Sequence, residues 1–584
     1  MGTLTSSLKR ILYAMKCLLL LSCLFLMFNS CHQKPVPWTG PELTQPRNQL
    51  TVRHLQEITI PELIDLSFFS KPEWATEAED GFYGSLSFTD TEIIFPKERV
   101  PYPGENTFPG FTIDFVSHDG ELIPAQRGRI STMEQSESLW DVLIGTGSVW
   151  KEAADSSWSR ASFPLTLTDR YIGPARNCVA TFVYKPEAVS NVYVQCSQET
   201  ADLNDLQVGN MRVMLKADYA PRIQADSALV IERHEQYRSE KLPVYSLNLI
   251  DNGGEIAEIF EQSLYTNAST SLGAVIMEEM LYLHPPKTRH GQYPYPGEMR
   301  HAVYSVTKSM AGSLSMLYFA ERYGEEIFDE LITDYVPSLA DHPGWKGVTF
   351  SHTLNMVTGT VGSERAEHLF EILIKARSAE ESIQNIATLG DAPEAPGEKF
   401  KYASTNLFVL SYALQEYVEE KEGLHVHYWD LVNKNVLEPI GAKYFTLRHT
   451  LEADGSKGIP LLAYGALPTV DEAAKISLLF SNEGNYHGKQ ILHREKTREA
   501  LGRTEWAGYS TDNDYRGSRY RHAFWATDLR VNGCDVHVTY MLGYGGNYII
   551  FLPSEAIIIR FMDEYDLDLS ELVAAVEKVK SSCK

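Results

Sequence analysis

Ser305-Val306-Thr307-Lys308 places a hydroxyl and an amine three positions apart. On a helix such residues share a face, so the Lys308 amine can reach the Ser305 hydroxyl. S-x-x-K is a cheap pattern, however, and recurs at Ser6/Lys9, Ser148/Lys151 and Ser581/Lys584. What separates Ser305 is its setting. Met310, Ala311, Leu314, Met316, Leu317, Phe319 and Ala320 follow, apolar almost all round, which predicts a buried helix with its first turn inside the protein. Burial and the positive helix N-terminus both disfavour an ammonium there, leaving a neutral amine that can take the serine's proton. A leaving group then needs a proton, and Tyr402 is the candidate donor, in Pro396-Gly397-Glu398-Lys399-Phe400-Lys401-Tyr402-Ala403-Ser404-Thr405-Asn406 at the start of an apolar helix. Beside the Lys308 cation its pKa is expected to fall from about 10. Gly543-Tyr544-Gly545-Gly546-Asn547 supplies the third element: glycines let backbone amides approach a substrate, and the amides of Ser305 and Asn547 are the candidate oxyanion donors.

These three elements, in this order and spacing, resemble the serine β-lactamase, DD-peptidase and family VIII esterase group, nearest its class C-like branch. Residues 348–359 (VTFSHTLNMVTG) look like that group's helix after the nucleophile helix. Glu438-Pro439-Ile440-Gly441 is similar to its PLG turn, and residues 465–471 to the lead-in of a core helix. The resemblance covers about 264–580. It implies an α+β fold with an antiparallel sheet flanked by helices, Ser305 as acylated nucleophile, Lys308 as base, Tyr402 as proton shuttle and the Asn547 N–H as oxyanion donor, without a cofactor. Two positions depart from the group: Tyr544 stands where Lys or His is usual, and Ser404 where Asn is usual. Losing the cation at Tyr544 weakens the expectation of a substrate carboxylate and favours an esterase or peptidase over a true β-lactamase. Tyr544, Gly545, Gly546, Asn547 and Ser404 form the expected substrate-binding set.

The elements that must hold these residues follow from patterning. Residues 272–277 and 280–284 read as a hairpin around Glu278-Glu279. Residues 520–531 and 535–541 read as another around Asn532-Gly533, a left-handed turn signal. Strands at 548–552 and 556–562 follow. Helices are expected at 255–265, 305–322, 406–420, 471–483 and 567–580, so strands from both ends of this half must meet in one sheet. Upstream, from about 35 to 251, short runs rich in Val, Ile, Tyr, Phe and Thr alternate with turn residues, as at 84–88, 111–116, 178–184 and 191–195. This predicts a β-rich, sandwich-like accessory domain (35–251) before a hydrolase domain (262–584), with the boundary near Asn252-Gly253-Gly254.

At 584 residues the chain exceeds one core, and 43 % apolar with 22 % charged residues is an ordinary globular balance. A net charge of −25 repels nucleic acid, which is excluded as a partner. Lys9, Arg10 and Lys16 precede an apolar run from Cys17 to Phe28, shorter than the roughly 20 residues of a spanning helix. Residues 1–31 therefore read as a bacterial signal peptide, with Met15 an alternative start. Cys31 after Ser30 resembles a lipoprotein cleavage box, although Phe28 stands where Leu is usual. Both a periplasmic or outer-membrane lipoprotein anchored through lipidated Cys31 and a plainly secreted protein stay open. In an oxidising compartment Cys178 and Cys196 could pair, whereas Cys534 and Cys583 have no evident partner.

His425-Val426-His427 lacks companion metal ligands and reads as a loop, and no metal site is expected. H-E-x-x-H, Walker and G-x-S-x-G motifs are lacking. Two function classes remain: an exported serine hydrolase forming an acyl-serine on an ester, amide or D-amino-acid peptide, and a catalytically inactive binding or sensor protein on the same fold.

Overall fold

The computed structural model describes residues 40–582 apart from 58–61, 96–102, 171–174, 198–210, 262–269, 361–363, 365–368, 391–393, 513–514, 516 and 563–567. The expected signal peptide, Met15, Cys31 and Cys583 lie outside the described residues. Residues from Thr39 onward form one compact unit.

The β-rich half is a single eleven-stranded antiparallel sheet. Its order is Met211–Leu215, Val192–Ser197, Ala175–Lys185, Ser159–Asp169, Gly147–Trp150, Glu121–Pro124, Phe111–His118, Tyr83–Phe88 and Asp218–Ala220, with Ala188–Val189 and Trp140–Ile144 paired to the sides. Phe82, which leads into Tyr83–Phe88, meets Phe182 at 5.3 Å between ring centroids. Those strands stand five steps apart, about 24 Å in a flat sheet at the usual strand spacing. The sheet therefore curls until its apolar face closes on itself, as the two layers of a sandwich do. Its two edge strands, Met211–Leu215 and Asp218–Ala220, are consecutive, joined only by Lys216 and Ala217. Phe82, Phe115, Trp140, Phe163, Phe182 and Val194 fill the enclosed core. Cys178 and Cys196 face each other on paired strands within it and are disulfide-bonded. Cys534 is disulfide-bonded as well; the expectation that it had no evident partner is corrected.

The second sheet has nine strands in the order Val244–Ser246, Met280–His284, Thr270–Met277, Ile557–Met562, Asn547–Phe551, Cys534–Gly543, Phe524–Val531, Arg519–Arg521 and Tyr509–Ser510. All pairs are antiparallel except the first, which is parallel. Thr270–Met277 pairs with Ile557–Met562, so the two ends of this half meet as expected. The hairpin turns form where anticipated: Glu278, Glu279, Asn532 and Gly533 all have positive φ, as a two-residue turn matched to strand twist requires. Two details differ. The strand expected over 520–531 is broken by His522 and Ala523, both at positive φ. The sheet also begins upstream of residue 252, with Val244–Ser246. Leu569–Val579 packs on Phe524–Val531, and Asn532 Nδ2 donates to Ala574 O at 2.9 Å.

The two sheets are joined through buried polar contacts. The Asn177 side chain donates to Arg300 O (2.8 Å) and accepts from Arg300 N–H (3.0 Å). The Tyr293 and Tyr295 hydroxyls donate to Cys178 O and Ser162 O, both at 2.9 Å. Glu298 pairs with Lys241 at 2.8 Å and with Arg127 at 3.5 Å. Burial opposes its ionisation, but these cations outweigh that penalty and hold its carboxyl down at about 2.

Candidate active site

Ser305 precedes the helix over 306–323 and is the one partly exposed residue in the run 301–310. Tyr304, just before it, sits at φ 46°, a conformation costly for a bulky residue and held only by firm surroundings. Those surroundings are visible. Thr307 Oγ1 accepts from Ala466 N–H at 3.1 Å, and Ser309 Oγ donates to Ala523 O at 2.7 Å. Over Lys308–Ser313 the helix adopts the wide i→i+5 form, a local unwinding frequent at functional sites.

Lys308 is 1 % exposed. Its Nζ lies 2.7 Å from Ser305 Oγ, 3.0 Å from Ser404 Oγ and 2.9 Å from Ala463 O. Among the described residues no carboxylate is paired with it, so burial dominates and pushes its pKa down to about 8, against a smaller upward pull from Glu364. Ser148, by contrast, lies on an extended strand, and Lys151, just past its end, pairs with Glu79 at 2.6 Å. Ser581 has no such setting, and Ser6, Lys9 and Lys584 lie outside the described residues.

Tyr402 hydrogen-bonds Ser305 through its hydroxyl. Its pKa is raised well above the ordinary value, first by burial and then by Tyr520 and Glu364. This corrects the expected fall. Lys308 Nζ sits over the ring, 4.9 Å from its centroid, and the ring is enclosed by Trp525 (5.6 Å), Tyr515 (6.2 Å), Tyr520 and Phe400 (both 6.4 Å), so burial outweighs the cation. With its pKa raised, Tyr402 is a neutral phenol.

Gly543 faces Asn547 across the hairpin, so Tyr544, Gly545 and Gly546 form its loop. Both Gly545 and Gly546 are at φ 80°. Asn547 Nδ2 donates to Tyr544 O at 2.6 Å and Arg560 Nη1 to Gly546 O at 3.0 Å, which brace the loop. A Cβ on Gly543 would come within 2.1 Å of Val303 O; the hairpin and the turn that carries Ser305 are in direct contact. The Tyr544 ring lies edge-on to Tyr304 at 5.5 Å and packs against the buried cluster that Tyr304 forms with Leu143, Ala175, Ala302 and Leu467. Leu143 and Ala175 belong to the accessory sheet, which therefore walls the site.

Ser305, Lys308, Tyr402, Ser404 and the loop with Tyr544 converge. Cys178 and Cys196 belong to the accessory core. His425 is exposed, and His427 bonds Gly458 O at 2.9 Å. Among the described residues no group of three or more His, Cys, Asp or Glu could hold a metal. Sequence reasoning missed Glu364, whose carboxylate accepts both the N–H and the hydroxyl of Ser404, the latter at 3.1 Å. It also missed Ala463 and the wall of Tyr515, Tyr520 and Trp525. The aromatic density of 515–525 was a usable signal, but no local pattern marks Glu364. A cavity of about 320 Å³ lined by Ser70, Thr146, Lys241 and Tyr295 lies at the sheet junction, apart from Ser305.

Residues 282–562 match the family model described as Beta-lactamase. No curated protein matches the sequence. Among solved structures, a penicillin-binding protein homolog from Caulobacter crescentus is 14 % identical, with 56 % of this chain and 97 % of that one covered and a TM-score of 0.41. A D-stereospecific amidohydrolase from Streptomyces sp. is 13 % identical, covering 55 % and 97 %, at 0.40. A penicillin-binding protein from Bacillus halodurans is 16 % identical, covering 53 % and 95 %, at 0.39.

Proposed function

With residues 282–562 a beta-lactamase-family domain of the β-lactamase/transpeptidase fold, a family of serine hydrolases, we propose that the protein is an exported hydrolase acting through an acyl-Ser305 intermediate on an ester, amide or D-amino-acid peptide. The observation that carries this reading is the Lys308 amine, buried without a carboxylate partner among the described residues and 2.7 Å from Ser305 Oγ. A lysine kept only for structure would be paired or solvated.

In acylation Ser305 Oγ bonds to the carbonyl carbon while its proton passes to Lys308 Nζ. The oxyanion is received by the amides of Ser305 and Asn547, each such donor being worth about 3 kcal/mol. As the bond to the leaving group breaks, Tyr402 gives that group its proton, and the Lys308 ammonium restores the Tyr402 proton. Water then attacks the acyl carbon by the reverse transfers, releasing the acid and neutral Lys308.

Tyr544 favours an uncharged acyl group, because an aromatic ring packed on the accessory sheet occupies the position where the family usually has a cation. The division into an accessory part (35–251) and a hydrolase part (262–584) belongs to the same reading, the hydrolase sheet taking in Val244–Ser246. Export, through a signal peptide with or without lipidation of Cys31, is supported by the two disulfide-bonded sites. No helix among the described residues is long and apolar enough to cross a membrane.

The test is mass spectrometry of the protein treated with a fluorophosphonate, beside Ser305→Ala. One adduct on Ser305, absent in the variant, supports the hydrolase. A folded protein that takes no adduct supports the binding or sensor alternative.

A further inference from the structure

A serine hydroxyl has one proton, and the partner that takes it decides what the oxygen does elsewhere. Ser404 Oγ stands between Lys308 Nζ at 3.0 Å and Glu364 Oε2 at 3.1 Å. An ionised carboxylate only accepts, so the Ser404 proton points to Glu364 and Ser404 Oγ accepts from Lys308. The Ala463 carbonyl, 2.9 Å from Nζ, can also only accept. A neutral amine has two N–H bonds and one lone pair. Both N–H bonds are committed to Ser404 and Ala463, and the one direction left from the nitrogen runs to Ser305 Oγ at 2.7 Å.

We infer that Glu364 is a positioning residue: its carboxylate, acting through the Ser404 hydroxyl, aims the lone pair of Lys308 at the nucleophile. This rests on the reading of Ser305 and Lys308 as nucleophile and base. Without Glu364 the Ser404 hydroxyl is free to turn and donate to Lys308. That occupies the lone pair and turns an N–H towards Ser305, where no proton can be accepted. The arrangement also accounts for Ser404 itself. An asparagine offers an amide oxygen that can only accept from the lysine, so its role needs no outside partner; a hydroxyl needs its proton held, and Glu364 holds it.

The experiment measures the rate of Ser305 phosphonylation in the full chain, by intact mass, across pH 6–10. It compares wild type with Glu364→Ala, Glu364→Gln, Ser404→Asn and the Ser404→Asn/Glu364→Ala pair, each checked for folding by near-UV circular dichroism. Glu364→Ala is expected to lower the high-pH plateau by at least about tenfold, within the range for impaired proton transfer. Glu364→Gln, whose amide oxygen can still take the Ser404 proton, should lose less. Ser404→Asn should make the rate largely indifferent to Glu364→Ala, a non-additivity that a purely structural role does not produce. The profile also separates charge from aim. The groups facing Lys308 are Glu364, Tyr402 and Ser404, with Tyr515 and Tyr520 behind Tyr402, so removing the Glu364 charge should move the midpoint down. A wild-type plateau in folded Glu364→Ala, or equal losses from Glu364→Ala with and without Ser404→Asn, overturns the positioning role and leaves the nucleophile standing. A wild-type protein that takes no adduct on Ser305 overturns both.

Discussion

Ser305 should be acylated at a rate that follows the neutral fraction of Lys308. Burial pushes that amine from an ordinary 10.5 down to about 8, and a base works in its deprotonated form, so the rate rises with pH and levels above 8. The neutral fraction at pH 7 is about 9 %, against about 0.03 % for an unshifted lysine, so burial supplies about 300-fold more base at neutral pH. Expressed as a profile, the phosphonylation rate should rise about tenfold from pH 6 to 7, more slowly to 8, and little beyond 9. The assay follows the Ser305 adduct by intact mass at fixed fluorophosphonate concentration, corrected for reagent hydrolysis. Lys308→Arg keeps the charge but cannot accept a proton, and should lose at least about a hundredfold. A midpoint near 10.5 would mean that burial does not set the base. A midpoint near 6.5 that persists in Lys308→Arg would move the role to a histidine.

Tyr402→Phe keeps the ring among Trp525, Tyr520 and Phe400 but removes the proton donor. Turnover of an ester with a poor leaving group should fall about a hundredfold or more, while phosphonylation with fluoride as leaving group falls far less; equal losses in both would deny it the donor role. Gly543→Ala puts a methyl 2.1 Å from Val303 O and should cost about 1–3 kcal/mol, seen as a lower Tm together with slower acylation, as overpacking does; an unchanged Tm would mean the hairpin and the nucleophile turn are not in rigid contact. Replacing Cys178 and Cys196 together by serine opens a crosslink spanning 18 residues and should cost about 3 kcal/mol, measured by denaturant unfolding of the oxidised protein; a difference below about 0.5 kcal/mol would mean that strand pairing alone holds this core.

The buried helix after Ser305 was legible because its message is local: a three-residue spacing followed by unbroken apolar residues. The hairpins at Glu278-Glu279 and Asn532-Gly533 were legible for the same reason, since register and turn lie within a few residues. The sign of the Tyr402 shift was not. It depends on Tyr520 and Trp525, more than a hundred residues downstream, folding over the ring and keeping water from the hydroxyl. Glu364 was invisible for a related reason: its partner lies 40 residues away, and an isolated glutamate carries no pattern. The break at His522 and Ala523 defeated the strand reading because neither residue favours positive φ by itself. There Asn355 Oδ1 accepts His522 N–H at 2.6 Å, so a tertiary contact takes up the hydrogen bond of the broken strand.

The curled accessory sheet reaches Tyr304 and Tyr544 through Leu143 and Ala175, and its Asn177 closes two hydrogen bonds with the Arg300 backbone. It is thus masonry shared with the half that carries Ser305, not a detachable module. Cutting the chain before residue 262 would strip one side of the nucleophile turn, leave Glu298 without Lys241 and Arg127, and bare apolar surface beside the strained Tyr304. Expression of an isolated hydrolase domain should yield protein that aggregates or fails to hold Ser305 in place. Chimeras that exchange the first 250 residues with those of an unrelated protein should fail for the same reason, because the partition is structural on both of its faces.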